Sequence, residues 1–393
     1  MTSDSGFDAG GFPGLLGDML KMMRTDAPLQ WELALQFAQT VAADGKAEPN
    51  VDPVQRMRFE ELARIAEMQV ADVTGMPTTP SGAPASFATT GPAGWARRSL
   101  ESWRPLIERF AAAIRPAAPG PQGDRDEEDE KDLARLMGEW SKAIAPAMIA
   151  LQVGSAIGHL ARTTLGQYEL PLPRPDSDEI AVVPENAVRF AADWSLNPDD
   201  ALLWVAARDL TMHAMLSRSH VRERFSTLLV EHAANLRPDL GALIDRLGDL
   251  SSVGIEDPGE LSELFGEAGF APDADAPEVR RVRAELATLS AVLVGYAQWA
   301  TDAVVARVIG ARRPVAEAMR RRLVEMTEEE RAGEHLFGLD LSADTVDRGE
   351  TFVSGVLDRG GETELAKLWV HDANLPTPAE LDAPGLWIAR VNL

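Results

Sequence analysis

The helical period of the apolar residues is the sequence feature that most restricts the fold. Apolar positions recur every three or four residues over 28–43 and 53–73, which is typical of amphipathic helices. Helices are also expected over 95–114, 133–164, 201–217, 221–236, 240–247, 278–309 and 314–330. The best strand candidate, Ile180–Val183, is short, β-branched and followed by Pro184. The sequence therefore predicts a mainly α protein, a multi-helix body with a small β element near 180–184.

Changes in composition predict how the chain is divided. Residues 1–27 are rich in Gly and Asp and predict a flexible N-terminal tail, and 77–94 is dense in Pro, Gly, Ser and Thr, as loops are. A linker at 115–132 is first Pro/Gly-rich and then acidic. It separates an N-terminal helical region (28–114) from a core region with a C-terminal packing segment (133–393). We expect 28–114 and 133–393 to form one compact unit.

Charge restricts the partners. The chain of 393 residues has a net charge of −24, so its surface repels phosphate backbones and anionic membranes. We therefore expect no nucleic-acid and no membrane partner, which leaves a protein or peptide. The N-terminus has no basic start followed by an unbroken apolar run, and the expected location is the cytoplasm.

The supply of metal ligands is small. The chain has no cysteine and six histidines, which excludes thiolate zinc sites, iron–sulfur clusters and cysteine nucleophiles. Any site for zinc would have to combine a few histidines with carboxylates.

Five stretches, taken in order, resemble a known family: APLQWELA at 27–34, LGQYELPLP at 165–173, VVPENAVRF at 182–190, WVAARDLTMHAML at 204–216 and LWVHDANLPTPAELDAP at 368–384. Together they are similar to an actinobacterial family of zincin-like, zinc-dependent metalloproteases, one branch of which is named for deazaflavin coenzyme biosynthesis. The resemblance implies a zincin-like fold, hydrolase activity and a zinc cofactor.

The resemblance also implies where the chemistry would lie. Such a family carries HExxH on a helix, where two histidines bind zinc and the glutamate is the general base. The matching positions here include Arg208, Asp209 and Met212, and a downstream ligand glutamate is matched by Val294. Arginine stays protonated, and a thioether does not replace imidazole at zinc. Asp209 keeps a carboxylate in the general-base position.

The leading hypothesis is therefore a zincin-like protein that has lost zinc-dependent peptidase activity and acts in binding or scaffolding, with no cofactor. The alternative is a zinc-dependent hydrolase with a rearranged metal site that uses His213, with Asp209 and Glu231 as further ligands. A third possibility is an enzyme without metal that uses Asp209 as an acid and Arg208 as an anion clamp. A basic cluster at 312–322 is expected to form salt bridges with the acidic surface.

Overall fold

The computed structural model describes residues 28–114 except 45, 47 and 49, and also 127–238, 270–272, 276–310 and 314–393. The described α-helices are α1 (Trp31–Ala43), α2 (Pro53–Thr74), α3 (Pro92–Ala113), α4 (Glu127–Thr163), α5 (Pro184–Asp193), α6 (Pro198–Leu216), α7 (Ser219–Ala233), α8 (Pro277–Ile309), α9 (Pro314–Glu325), α10 (Glu328–Phe337), α11 (Ala343–Leu365), α12 (Pro378–Leu381) and α13 (Pro384–Val391). The prediction of a mainly α fold is confirmed. The expected tail at 1–27 and helix at 240–247 lie outside the described residues.

Two short sheets accompany the helices. Strand β1 (Ser86–Thr89) pairs in parallel with β2 (Glu179–Val182), and Phe87 stands opposite Ile180. The other pair, β3 (Leu236–Pro238) and β4 (Phe270–Pro272), is antiparallel. The strand expected at 180–183 is thus present, whereas β1 falls inside 77–94, which was expected to be a loop. Its four residues carry little signal of their own and are ordered by pairing with the buried β2.

Local signals explain two shifted boundaries. The charged stretch 314–330, expected as one helix, is divided because Thr327 and Glu330 form a capping box that starts α10. Helix α4 begins at Glu127, so the acidic end of the expected 115–132 linker is helical, in agreement with the favourable interaction of carboxylates with a helix N-terminus. Residues 115–126 of that linker lie outside the described residues.

Helix α6 is the centre of the protein. Fifteen of its residues are buried, as expected for a helix that is apolar on every side. One continuous cluster of buried side chains extends from Leu29 to Trp387, so residues on both sides of 115–126 share a core. Helix α8 is long and apolar enough to cross a membrane by length and composition alone. Because 67% of its most apolar window is buried inside the protein, it is equally typical of a core helix.

Glycines allow close contact between α1 and α4. A Cβ added to Gly154 would lie 2.7 Å from the Ala34 carbonyl oxygen, and one added to Gly158 would lie 2.6 Å from Val41 Cβ. Gly154 and Gly158 therefore allow α4 to pack closely against α1 inside the protein, because the absence of side chains at these positions lets the two backbones approach.

Candidate functional site

The segment 165–168 lies against α6 at Asp209, which the resemblance matches to the general-base position of the family motif. Asp209 is only 1% exposed and accepts hydrogen bonds from the backbone N–H of Gln167 (2.6 Å) and of Tyr168 (3.3 Å). A Cβ on Gly166 would lie 2.0 Å from Asp209 Oδ2. The carboxylate thus holds the segment in place, and the contact requires a residue without a side chain at 166.

The Gly166 backbone is also fixed from its other side. Its carbonyl oxygen accepts hydrogen bonds from Trp95 Nε1 at 3.0 Å and from Thr164 Oγ1 at 2.9 Å. These donors come from α3 and from the end of α4, and Asp209 of α6 lies against the same residue. Three parts of the chain therefore meet at Gly166.

Burial dominates the titration of Asp209. It raises the pKa of this carboxyl from 3.8 to about 7, although the charge of Arg208 and the two backbone N–H groups favour the ionised form. Near neutral pH both the protonated and the ionised form of the group are therefore populated, whereas a solvated aspartate is almost entirely ionised.

His213, one turn further along α6, is held at both ring nitrogens. Its Nε2 lies 2.8 Å from the Ser177 carbonyl oxygen, and its Nδ1 lies 2.6 Å from the Tyr168 hydroxyl. A carbonyl can only accept, so we assign the proton to Nε2, and Nδ1 then accepts from the hydroxyl. Burial lowers the pKa of His213 to about 4, so the ring is neutral at pH 7. Its one lone pair is already used.

Arg208 has hydrogen-bonding capacity to spare. Its Nη1 donates to the Tyr168 carbonyl oxygen at 2.9 Å, and its guanidinium carbon lies 5.8 Å from the centre of the Trp204 ring. That is its one hydrogen bond among the described residues, whereas a guanidinium has five N–H donors. The buried Trp204 indole N–H likewise has no acceptor in the described part of the chain. Two neighbouring donor groups therefore have N–H bonds without an acceptor among the described residues.

Arg208, Asp209, Trp204 and Val294 line one cavity of about 70 Å³ between α6, α8 and α9. A space of that size holds about five water molecules. The remainder of the wall is largely apolar, with Leu160, Leu165, Leu170, Val205, Met319, Leu323, Met326, Leu341 and Val346. The cavity therefore combines an apolar body with a few polar groups, as small-molecule sites do.

Two further carboxylates, Glu169 and Glu334, line the same cavity. The Arg322 guanidinium, 3.4 Å from Glu169, and the charge of Arg208 keep the pKa of Glu169 below its usual value despite burial. Burial raises the pKa of Glu334 to about 7, although Arg331 lies 3.5 Å away. The cavity thus places an ionised carboxylate near two carboxyls that titrate around neutral pH.

The residues present do not fit a zinc ion. Arg208 and Val294 face the cavity but supply no ligand atom, and Met212 is fully buried. Among the described residues no three His, Asp or Glu side chains are placed to hold one metal. The expected cluster of Asp209, His213 and Glu231 is therefore not formed.

The reason lies in the other partners of the proposed ligands. Glu231 pairs with Arg281 at 2.7 Å on a half-exposed face of α7, while both nitrogens of His213 are engaged by Tyr168 and Ser177. A metal bound at His213 would have to displace one of these hydrogen bonds.

Sequence reasoning did not find every polar residue of the cavity. Glu169 lies within LGQYELPLP, so the resemblance marked its stretch without singling it out. Glu334 is on α10, in a charged segment whose composition is typical of a solvated face, and its burial comes from packing. Of the basic cluster 312–322, Arg320, Arg321 and Arg322 pair with glutamates as expected, while 312 and 313 lie outside the described residues.

Comparisons with known proteins identify the family and the fold. No curated protein matches the chain in sequence. A solved structure from Chloroflexus aurantiacus, described as that of a candidate hydrolase with a novel fold, is similar with a TM-score of 0.60 and 21% identity, covering 93% of this chain and 99% of that one. At that identity the likeness shows the fold. The family model for zincin-like metallopeptidases matches residues 29–388, and the chain therefore belongs to the zincin-like metallopeptidase family.

Proposed function

We propose that this zincin-like protein has lost zinc-dependent peptidase activity and binds the free C-terminal carboxylate of an apolar peptide in the cavity beside α6. The observation that carries the proposal is Arg208, which the resemblance matches to a ligand position of the family motif and which has four N–H donors that make no hydrogen bond to the described residues. Guanidinium binds carboxylate with two parallel hydrogen bonds. The α6 helix thus presents an anion-binding group where the family has a cation.

The surroundings support a peptide end with an apolar last residue. Val294 and Met319 form part of an apolar wall, and the Trp204 N–H supplies a second donor. The donor set around α6 does not serve zinc, because Met212 is buried and the nitrogens of His213 are engaged. We further propose a cytoplasmic location and membership of the actinobacterial branch named for deazaflavin coenzyme biosynthesis, the latter from the five stretches quoted above.

The test is calorimetric titration with the tripeptide Ala-Ala-Leu as free acid and as C-terminal amide. We expect the acid to bind at least tenfold more tightly than the amide, and Arg208→Gln to remove that difference. Arg321→Gln is the matched control, because Arg321 is exposed and pairs with Glu317 on its own helix. Equal binding of acid and amide by the wild-type protein would contradict the proposed ligand.

The loss of zinc chemistry has its own test, elemental analysis of protein purified without added metal. We expect zinc far below one equivalent. One equivalent of zinc that disappears in His213→Ala would overturn the proposal in favour of a rearranged metal site.

A second candidate function, hydrolysis without a metal, is favoured by one observation. Asp209 and Glu334 line the same cavity, and the pKa of each is raised to about 7 by burial, which is suited to general acid–base chemistry. The experiment is the pH–rate profile for hydrolysis of 4-nitrophenyl acetate. A rate that changes around pH 7 and is lost in both Asp209→Asn and Glu334→Gln would support an enzyme. A rate equal to that in acetate buffer without the protein would exclude hydrolysis of this ester by the cavity.

A further inference from the structure

A second cavity lies on the opposite side of the 165–168 segment, between α3 and the chain around 174–181. It measures about 240 Å³, and its wall includes Arg174, Ser102, Gln167 and His213. It is separate from the cavity of Arg208, and nothing in the proposed function uses it. Its most unusual wall residue is Arg174.

Among the described residues no carboxylate is hydrogen-bonded to the buried cation Arg174, although the charge of Asp209 acts on it across the Gln167–Tyr168 peptide unit. The residue is 8% exposed, and its two hydrogen bonds both come from Nη2, to Ser99 Oγ at 3.1 Å and to the Gln167 carbonyl oxygen at 3.2 Å. Both partners are uncharged. Its Nε is sealed from water with no acceptor in the described part of the chain.

Aromatic packing holds the guanidinium in place without neutralising it. Its carbon lies 4.3 Å from the Trp103 ring centre and 5.8 Å from that of Tyr168. Burial lowers the pKa of Arg174 to about 10, so it remains charged at neutral pH. A buried charge is costly unless it is paired, and the Nη1 donors make no hydrogen bond to the described residues.

We propose that the Arg174 cavity is a binding site for a small monocarboxylate. The guanidinium supplies the charge and donors from Nη1, and Ser102 on α3, whose hydroxyl has no partner among the described residues, supplies a further donor. A guanidinium that packs against the Trp103 and Tyr168 rings is already ordered for a planar carboxylate.

The charge of the wall favours a single negative charge over two. His213 is neutral, since its pKa is lowered to about 4. The other cation of the wall, Arg98, is paired with Glu179 at 2.7 Å, and Glu101 adds a negative charge that is shared with Arg97. Among the described residues Arg174 is thus the one cation of the wall that has no carboxylate at hydrogen-bond distance, and the charge of Asp209 offsets part of it, so a dianionic phosphate fits less well than a carboxylate.

The test is calorimetric titration of the full chain with acetate and with inorganic phosphate at pH 8, in a buffer free of other carboxylates. To keep the two cavities apart, the titration uses the Arg208→Gln background. We expect one acetate site, at least tenfold weaker binding of phosphate, and at least tenfold loss of acetate affinity in Arg174→Met. Arg104→Gln is the control, since Arg104 is an exposed arginine of α3 that pairs with Glu108.

Two milder variants decide the outcome if Arg174→Met fails to fold. Arg174→Lys keeps the charge but loses the paired N–H donors of the guanidinium, and we expect about tenfold weaker acetate binding. Ser102→Ala removes one hydroxyl donor at a half-buried position, and we expect about threefold weaker acetate binding. Absence of an acetate site in the Arg208→Gln protein, or unchanged affinity in both variants, would overturn the proposal. Phosphate binding as tightly as acetate would overturn the choice of a monocarboxylate.

Discussion

Asp209 and Arg174 are both buried charges, and they flank the same peptide unit. The Tyr168 N–H of that unit donates to Asp209, and its Gln167 carbonyl oxygen accepts from Arg174. Asp209 is matched by two backbone donors, whereas Arg174 has N–H groups left over on the side of a cavity. The difference teaches that charge burial alone does not mark function: the group whose hydrogen bonds are satisfied fixes the chain, and the group with spare donors is the one for which we propose a ligand.

Gly166→Ala is expected to have the largest effect, because it disrupts the hydrogen bonds between Asp209 and the 165–168 segment. The new Cβ would stand 2.0 Å from Asp209 Oδ2, so either the carboxylate or the segment must move and the backbone hydrogen bonds are lost. We expect the free energy of unfolding to fall by about 3 kcal/mol, measured by urea denaturation. Gly385→Ala is the control, because its nearest neighbour is 3.9 Å away, and it should change stability by less than about 0.5 kcal/mol. Similar values for the two variants would show that Gly166 is not constrained.

The pH dependence of stability sharpens the comparison. The pKa of Asp209 is raised from 3.8 to about 7, so between those values the folded chain keeps a proton that the unfolded chain has released. Its contribution to stability is complete below pH 4 and is lost as the pH rises to about 7. We expect wild type to lose at least about 1 kcal/mol more than Asp209→Asn over this range, since one pKa unit corresponds to about 1.4 kcal/mol.

The comparison between wild type and Asp209→Asn isolates the contribution of Asp209 to the pH dependence of stability from that of other titrating groups. Glu334, with a pKa of about 7, acts in the same direction, while the buried His213 and His232, with pKa values of about 4, act in the opposite one. These groups are common to both proteins and cancel in the difference. Parallel stability curves for wild type and Asp209→Asn would mean that Asp209 titrates normally.

A smaller effect is expected from Tyr168→Phe, which removes the hydroxyl 2.6 Å from His213 Nδ1. One buried acceptor then loses its donor, and the free energy of unfolding should fall by about 1 kcal/mol. The ¹⁵N chemical shifts of the His213 ring report the assignment directly. In wild type they should show the proton on Nε2, and a proton on Nδ1 would contradict the hydrogen-bond directions given above.

The smallest effect is expected at an exposed charge. Arg58 donates to both carboxylate oxygens of Asp199, at 2.9 and 2.5 Å, but both side chains are more than a third exposed. Arg58→Gln should lower stability by no more than about 0.5 kcal/mol, measured by thermal unfolding at low salt. A loss as large as that in Tyr168→Phe would erase the distinction between buried and surface pairs.

Periodicity predicted much of the helical fold because local apolar spacing governs which face of a helix is buried. It gave α2 and α8 to within a residue or two of their observed ends. It missed β1, because a four-residue strand depends on its partner β2, some ninety positions away. It also missed the division between α9 and α10, where the cap of Thr327 outweighs the continuous charged pattern.

The site was only partly predictable. The resemblance singled out Arg208, Asp209 and Val294, and the structure brings these three to one cavity. Helical spacing offered Asp209, His213 and Glu231 as an alternative metal cluster, and among the described residues no three such side chains are placed to hold one metal. Spacing puts Asp209 and His213 on one face of a helix but says nothing of the groups that bond to them in the fold. Glu334 and Arg174 were not foreseen, since the first lies in a charged stretch and the second between prolines.

By itself the sequence determined the helical content and the small supply of metal ligands, which follow from local spacing and residue chemistry. The family resemblance added the expectation that Arg208 and Met212 stand at the two histidine positions of the motif helix. Only the tertiary structure decided which polar groups are used and which are spare. Asp209 meets Gln167 across 42 positions, and Arg174 meets Ser99 across 75. Hydrogen-bond partners that distant are chosen by packing, and that choice makes Asp209 an anchor while Arg208 and Arg174 keep N–H groups without acceptors among the described residues.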